Sequence, residues 1–417
     1  MSIFRPSKES KIVMNKIAEI FTAWGISFNP NDAQSELASK RIEICNSCEH
    51  KKQNVLFTNV CELCGCALKA KVFTPVKGAC PAGKWNDIDN LLLQNNVKPK
   101  TKDLRFICAQ PAIKYYLWQV EVMINNFIKM GVNPNSIDVV CWAENGIVPD
   151  EWTTLASCYS SVRFFFYNDT RESKNYTSSI RPNILKQHWL ANPHLRNEAI
   201  FYYDCDIVFT KPISEWISDS MINDNNWYGS DCRWYLDYDY ILSKGEDILD
   251  KMCSIIGLEK EVVKEYELNT MGAQYIMKNV NHHFWEKVEK DSEILFKEIT
   301  EMSKKKKEQN PTYHELQIWC ADMWALLWNA WSNGIRTRVV GNLGFSWATS
   351  TKEDWDRYNI FHNAGVINDT SGLFYKANYM NTLAYTDELK INEGTASLEY
   401  WKIIKEVGEK SCLIQNN

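Results

Sequence analysis

The sequence predicts an α/β protein: a Rossmann-like mixed sheet flanked by helices, preceded by a small cysteine-rich domain. Two patterns carry this. From Leu104 onward, short β-rich runs ("LRFICAQ", "IDVVCW", "VRFFFYN", "AIFYYDCDIVF") alternate with helical stretches such as "YLWQVEVMINNFIKMG", as in βαβ units. Before that point, cysteines cluster in paired knuckles. At 417 residues the chain is too long for one small core, and its 45% hydrophobic and 24% charged content is that of a globular protein. No run of about 18 apolar residues suggests a membrane span, and "MSIFRPSKESKIVMNK" lacks the apolar segment of a secretory signal. A cytoplasmic setting with reduced cysteines is therefore expected.

The elements follow in order. Residues 1–40 form a helical segment, with Ile12, Ile17, Ile20, Phe21 and Trp24 at helical spacing and Gly25 as a stop. Residues 41–86 form the cysteine module, and 87–103, polar with a proline, a linker. The α/β domain spans 104–390, and 391–417 a C-terminal helix or tail. The lysine run "SKKKKEQNP", residues 303–311, reads as a solvated loop.

In the module, Cys45 and Cys48 form one CxxC knuckle and Cys61 and Cys64 a second, twelve residues on. Each knuckle offers two thiolates from a tight turn, with Gly65 closing the second, which suits tetrahedral Zn²⁺. Cys66 or Cys80 could replace one ligand. A zinc so enclosed is structural. Residues 1–100 hold 14 Lys and Arg against 9 Asp and Glu, a balance of +5, which leaves −10 on the remainder of a chain of net −5. That asymmetry leaves room for a nucleic-acid partner at the N-terminal part.

The run "IFYYDCDIVF" ends a buried-strand pattern on two carboxylates, Asp204 and Asp206. Two such charges are costly unless neutralised. Strand ends are where α/β sheets bind ligands, and paired hard oxygens suit Mn²⁺ or Mg²⁺ bridging to phosphate. A turn or a helix cap is the alternative. Gln110, with Tyr115 and Trp118, is placed to meet a nucleobase; Arg181 is placed to offset phosphate charge. Asp231 and Arg233 in "YGSDCRWY" are acceptor-side candidates, or an internal ion pair.

The pair resembles the DxD motif of nucleotide-sugar-dependent glycosyltransferases of the GT-A fold. Further stretches match that family in order: "MGAQYIMKN" (271–279), "IWCADMWALLW" (318–328), and "IFHNAGV" (360–366) followed by "GLFYK". The resemblance implies a metal site of Asp204, Asp206 and His362, and donor contacts from Asn363, Gly365 and Lys376. It places Gln274 by the donor sugar and Asp322 beside the reacting carbon, or as an N-cap. It also implies retention of anomeric configuration. The acidic segment has no DQD and no KPW follows the histidine. A fainter likeness is to plant hydroxyproline arabinosyltransferases. The cysteine module is similar to zinc ribbons of tailed-bacteriophage proteins, which implies a phage enzyme in the host cytoplasm. The expected reaction is metal-dependent transfer from a nucleotide-sugar, a UDP-sugar, to a hydroxyl. The expected acceptor is a hydroxymethylated pyrimidine in phage DNA, which would have to be flipped from the duplex. The same chemistry on a protein or glycan hydroxyl is the alternative; a catalytically inactive zinc-dependent binding protein is another.

Overall fold

The structure, a computed structural model, describes residues 32–53, 59–74, 76, 79–86 and 104–415, together with 23 and 27. The linker at 87–103 lies outside the described residues, as does the N-terminal helix of 9–24 save for residue 23. The chain divides into two units, 1–100 and 101–417.

In the first unit a helix, Asp32–Asn46, precedes a two-stranded antiparallel sheet of β1 (Lys51–Gln53) and β2 (Asn59–Cys61). A short helix, Leu68–Lys71, follows. Ala38, Cys45, Leu68, Val72 and Trp85 pack together. The Arg41 guanidinium lies 4.8 Å over the Trp85 ring and donates to the Thr74 carbonyl at 2.7 Å. Gly65 closes the second knuckle at φ 70°, its N–H donating to the Cys61 carbonyl at 2.8 Å.

The second unit is α/β, as expected. Its strands are β3 (Leu104–Pro111), β4 (Ile137–Trp142), β5 (Arg163–Tyr167), β6 (Ala199–Tyr203), β7 (Ile207–Phe209), β8 (Trp227–Asp231), β9 (Met271–Lys278), β10 (Thr337–Val339), β11 (Phe345–Trp347) and β12 (Ile360–His362). Seven form a mixed sheet in the order β10-β8-β9-β6-β3-β4-β5. Only β9 runs antiparallel to its neighbours. Helices cover both faces. Along β6, Ile200 and Tyr202 face a cluster with the helix Ile180–Ala191, while Phe201 and Tyr203 face one with the helix Lys114–Lys129. Both faces being apolar explains why the strand reads as a continuous hydrophobic run.

A second sheet, β11-β12-β7, adjoins the first. The chain passes from β6 of the large sheet to β7 of the small one through Asp204, Cys205 and Asp206 alone. The free edge of β7 is closed by buried Asn126, which donates to the Phe209 carbonyl at 3.0 Å and accepts its N–H at 2.7 Å. The C-terminal helix Ala396–Gly408 packs with Val208, Phe361 and Trp118.

Two expectations fail. The lysine run is helical to Gln309, the last part of a 28-residue helix from His282. Lys and Glu are good helix formers, and Lys306 pairs with Asp247 at 2.7 Å. Cysteine is not uniformly free either: Cys158 and Cys412, 254 residues apart, form a disulfide. Among the described residues no helix is long and apolar enough to cross a membrane.

Asn126→Leu is expected to destabilise the protein by about 2–4 kcal/mol in urea unfolding, because two buried backbone groups lose partners at roughly 1–3 kcal/mol each. A change below about 0.5 kcal/mol would show that β7 does not depend on this contact.

Candidate active site

β12 pairs antiparallel with β7 so that His362 lies opposite Ile207, next to the end of the aspartate pair. The Asn363 N–H donates to the Asp206 carbonyl at 3.0 Å. This register brings His362 Nε2 to 3.2 Å from Asp206 Oδ1 and 3.8 Å from Asp204 Oδ2. Each of the three residues offers a ligand atom, and these atoms lie within 4.8 Å of one another, the one such group among the described residues. Trp347, the register partner of His362 on β11, stacks on the imidazole at 5.6 Å with planes 19° apart. His362 Nδ1 is buried without a protein partner. Two carboxylate oxygens and an imidazole nitrogen fit a Mn²⁺ or Mg²⁺ ion.

Two cations face the carboxylates. Lys376 pairs with Asp206. Arg181, in the first turn of its helix, bridges Asp204 at 2.5 Å and Asp322 at 2.7 Å. A cation at a helix N-terminus opposes the dipole; the two carboxylates offset this. Burial alone would raise the Asp206 carboxyl, but Lys376 and His362 outweigh it and hold it well below the usual range. Burial likewise works against charge on Arg181, while Asp322 and Asp204 hold it well above its ordinary value.

These groups floor a cleft of about 330 Å³ whose lining includes Gln110, Tyr115, Tyr116, Ala273, Trp319 and Ala364. Gln110, Arg181 and Lys376 line it as well. Asn363 is 2% exposed and supports Asp206 through its backbone. Gly365 is exposed at φ 90° and does not line the cleft. Trp118 is fully buried and belongs to the core.

Asp322 does not line this cleft and lies behind Arg181, in a neighbouring cavity of about 40 Å³. One oxygen takes Arg181 and the other accepts from the Tyr176 hydroxyl at 2.6 Å. Asp322 thus holds Arg181, and it shares the smaller cavity with Asp204 and Ala273. It is not a cap; Cys320 holds the N-cap position. Gln274 is fully buried and accepts from the Ser230 hydroxyl at 2.7 Å. The cause is a bulge. Gly229 pairs with Tyr275 but Ser230 with Gly272, so Ala273 and Gln274 leave the ladder. Ala273, at φ 61°, takes the cleft side and Gln274 turns inward. A non-glycine residue in this region is strained, a feature common at functional sites. Asp231 and Arg233 pair with each other at 2.6 Å and lie outside the lining. Sequence motifs do not point to Tyr176 or Trp347, and within 271–279 they single out Gln274 where Ala273 takes the cleft side.

In the first unit Cys45, Cys48, Cys61, Cys64 and Cys80 line one cavity of about 20 Å³ with His50; Cys66 does not line it. Burial pushes the Cys45 thiol up to about 11. No three of the sulfurs meet the 4.8 Å spacing, so a zinc would draw them inward.

No family model and no curated protein matches the chain. Among solved structures, the apo WbbM bifunctional glycosyltransferase aligns over 92% of this chain at 10% identity with a TM-score of 0.39. The chain spans 64% of that structure's length. Mouse xyloside xylosyltransferase 1, apo form, aligns over 63% of this chain and 98% of its own, at 7% identity and a TM-score of 0.30. Likeness at this level leaves the chemistry to be read from the residues.

At 273, glycine accepts the observed φ and is expected to keep stability within about 0.5 kcal/mol of the parent. Ala273→Val adds a branched side chain in the left-handed region and is expected to cost about 1–3 kcal/mol. Thermal unfolding of both variants checks this; equal effects would contradict the bulge geometry.

Proposed function

We propose that the protein transfers a sugar from a nucleotide-sugar, a UDP-sugar, to a hydroxyl acceptor with Mn²⁺ or Mg²⁺ bound by Asp204, Asp206 and His362. The observation that carries this is the convergence of those three side chains at the carboxyl end of β6, on the floor of a cleft with two cations. Such a floor matches a diphosphate and its metal. The bound ion would draw charge from the diphosphate as the glycosidic bond breaks. Lys376 and Arg181 face the same space and would offset the remaining phosphate charge. Gln110, Tyr115 and Tyr116 line the cleft on the β3 side and suit a nucleobase. Asp322 and Tyr176 act one step back, fixing the guanidinium.

Zn²⁺ in the first unit would be structural, held by four ligands drawn from Cys45, Cys48, Cys61, Cys64 and Cys80. For the acceptor, a hydroxymethylated base in DNA draws support from the +5 balance of residues 1–100. A glycan or protein hydroxyl draws support from the lip of the cleft, treated below.

The test is nucleoside diphosphate release from a panel of UDP-sugars with Mn²⁺, followed by masses of candidate acceptors. Asp206→Asn is expected to lower turnover by about a hundredfold or more, since several kcal/mol of charge stabilisation depend on the ion. Metal-independent turnover would remove the metal assignment, and no turnover from any donor would favour a binding protein. Separately, purified protein is expected to keep about one zinc per chain through dialysis against a weak chelator, and Cys61→Ser to lose it. Zinc-free wild type that unfolds at the same temperature would overturn the zinc assignment.

A further inference from the structure

Most described tryptophans are buried, yet Trp234 is 67% and Trp319 60% exposed. They are neighbours in space through Tyr235. Tyr235 stacks with Trp319 at 6.3 Å with planes 15° apart, and Trp234 tilts against Tyr235 at 4.5 Å. Tyr235 and Trp319 line the cleft that holds Asp204, Asp206 and His362. The aromatic cluster therefore runs from the site to the surface, where Trp234 and Trp319 are exposed.

The surface is also anchored. The Tyr176 hydroxyl, 2.6 Å from Asp322, also lies against the Trp319 carbonyl, so its one proton is shared between the two acceptors. The Gln317 N–H donates to the Tyr240 hydroxyl at 3.1 Å. The Tyr235 hydroxyl donates to Cys232 Sγ at 3.1 Å. Exposed indoles on a fixed backbone lose little conformational freedom when a ligand lands on them.

We propose that Trp234 and Trp319, joined through the buried ring of Tyr235, form a stacking platform for the pyranose ring of a carbohydrate acceptor, whose hydroxyl is thereby presented to the cleft. The role in transfer rests on the reading above; the binding does not. A nucleobase would also stack, but a polynucleotide brings phosphates, and the lip does not receive them. Arg233 is paired with Asp231 and also feels the charge of Asp237, which has Asp239 beside it. Burial raises the Asp237 carboxyl, with the Tyr240 N–H and Arg233 opposing it and Asp239 and Asp231 adding to it. Nucleic-acid surfaces are positive. A neutral polyol has no such conflict: its C–H face lies on the rings and its hydroxyls meet Asp231 and Arg233, both of which have solvent access.

The experiment applies labelled full-length protein to an array of pyranose oligosaccharides and, in parallel, to a short single-stranded oligonucleotide containing 5-hydroxymethylcytosine. Wild type is expected to retain at least one oligosaccharide. Trp234→Ala and Trp319→Ala are each expected to weaken it about tenfold or more, as central aromatic contacts do. Trp319→Phe is expected to keep most of the binding, which separates lost stacking from lost folding. Mn²⁺ titration calorimetry of each variant reports whether the neighbouring site has survived. The proposal is overturned if no oligosaccharide binds, if the alanine variants bind as well as wild type, or if the oligonucleotide is preferred with the same tryptophan dependence. Tryptophan-dependent carbohydrate binding without turnover of any donor would uphold the platform and refute the transfer reading.

Discussion

Two carboxylates sit at a seam between two sheets, and much of the surrounding structure neutralises them. Asp204 is partly exposed, but Asp206 is 7% exposed and Asp322, behind Arg181, 8%. Charges this poorly solvated persist only when paired and hydrogen-bonded. The pairs come from distant chain segments. Arg181 reaches Asp204 and Asp322 from a helix on one face of the large sheet, and Lys376 reaches Asp206 from beyond β12. His362 arrives by the register of the small sheet. The compensation is between charged groups already aimed at one point, so a divalent ion and a diphosphate could exchange for it with little rearrangement of the backbone.

The seam also explains the small sheet. β7 is three residues long and would be a weak strand alone. Asn126 closes its outer edge, β12 pairs its inner one, and Phe127 stacks on Phe209 at 4.0 Å. Rigidity at Asp206 is inherited from these contacts. On the other side the bulge of β9 thins the wall to Ala273, and a Cβ at Gly272 beneath it would have to displace the end of the Met323 side chain.

Local chemistry was legible in the sequence where it depended on adjacent residues. The alternating strands and helices, the aspartate pair at a strand end and the CxxC knuckles all have short-range signatures. His362 was legible only through resemblance. Gln274 was misread because a two-residue bulge reverses which side chain faces the cleft, and nothing in "MGAQYIMKN" marks a bulge. The partners that hold Asp322 lie 141 and 146 residues away, beyond any local signature. The lysine run was misread because charge suggested solvent, which is compatible with helix when one face is covered. The exposure of Trp234 and Trp319 depends on packing that composition does not encode.

The central claim is that Asp204, Asp206 and His362 hold a divalent ion that carries a diphosphate. A crystal grown with MnCl₂ and UDP, measured at the manganese absorption edge, tests it directly. The account predicts one anomalous peak bound by these three side chains, with the UDP diphosphate on the open side of the ion and Lys376 turned towards it. Manganese elsewhere, or UDP bound with its diphosphate away from this group, would contradict it.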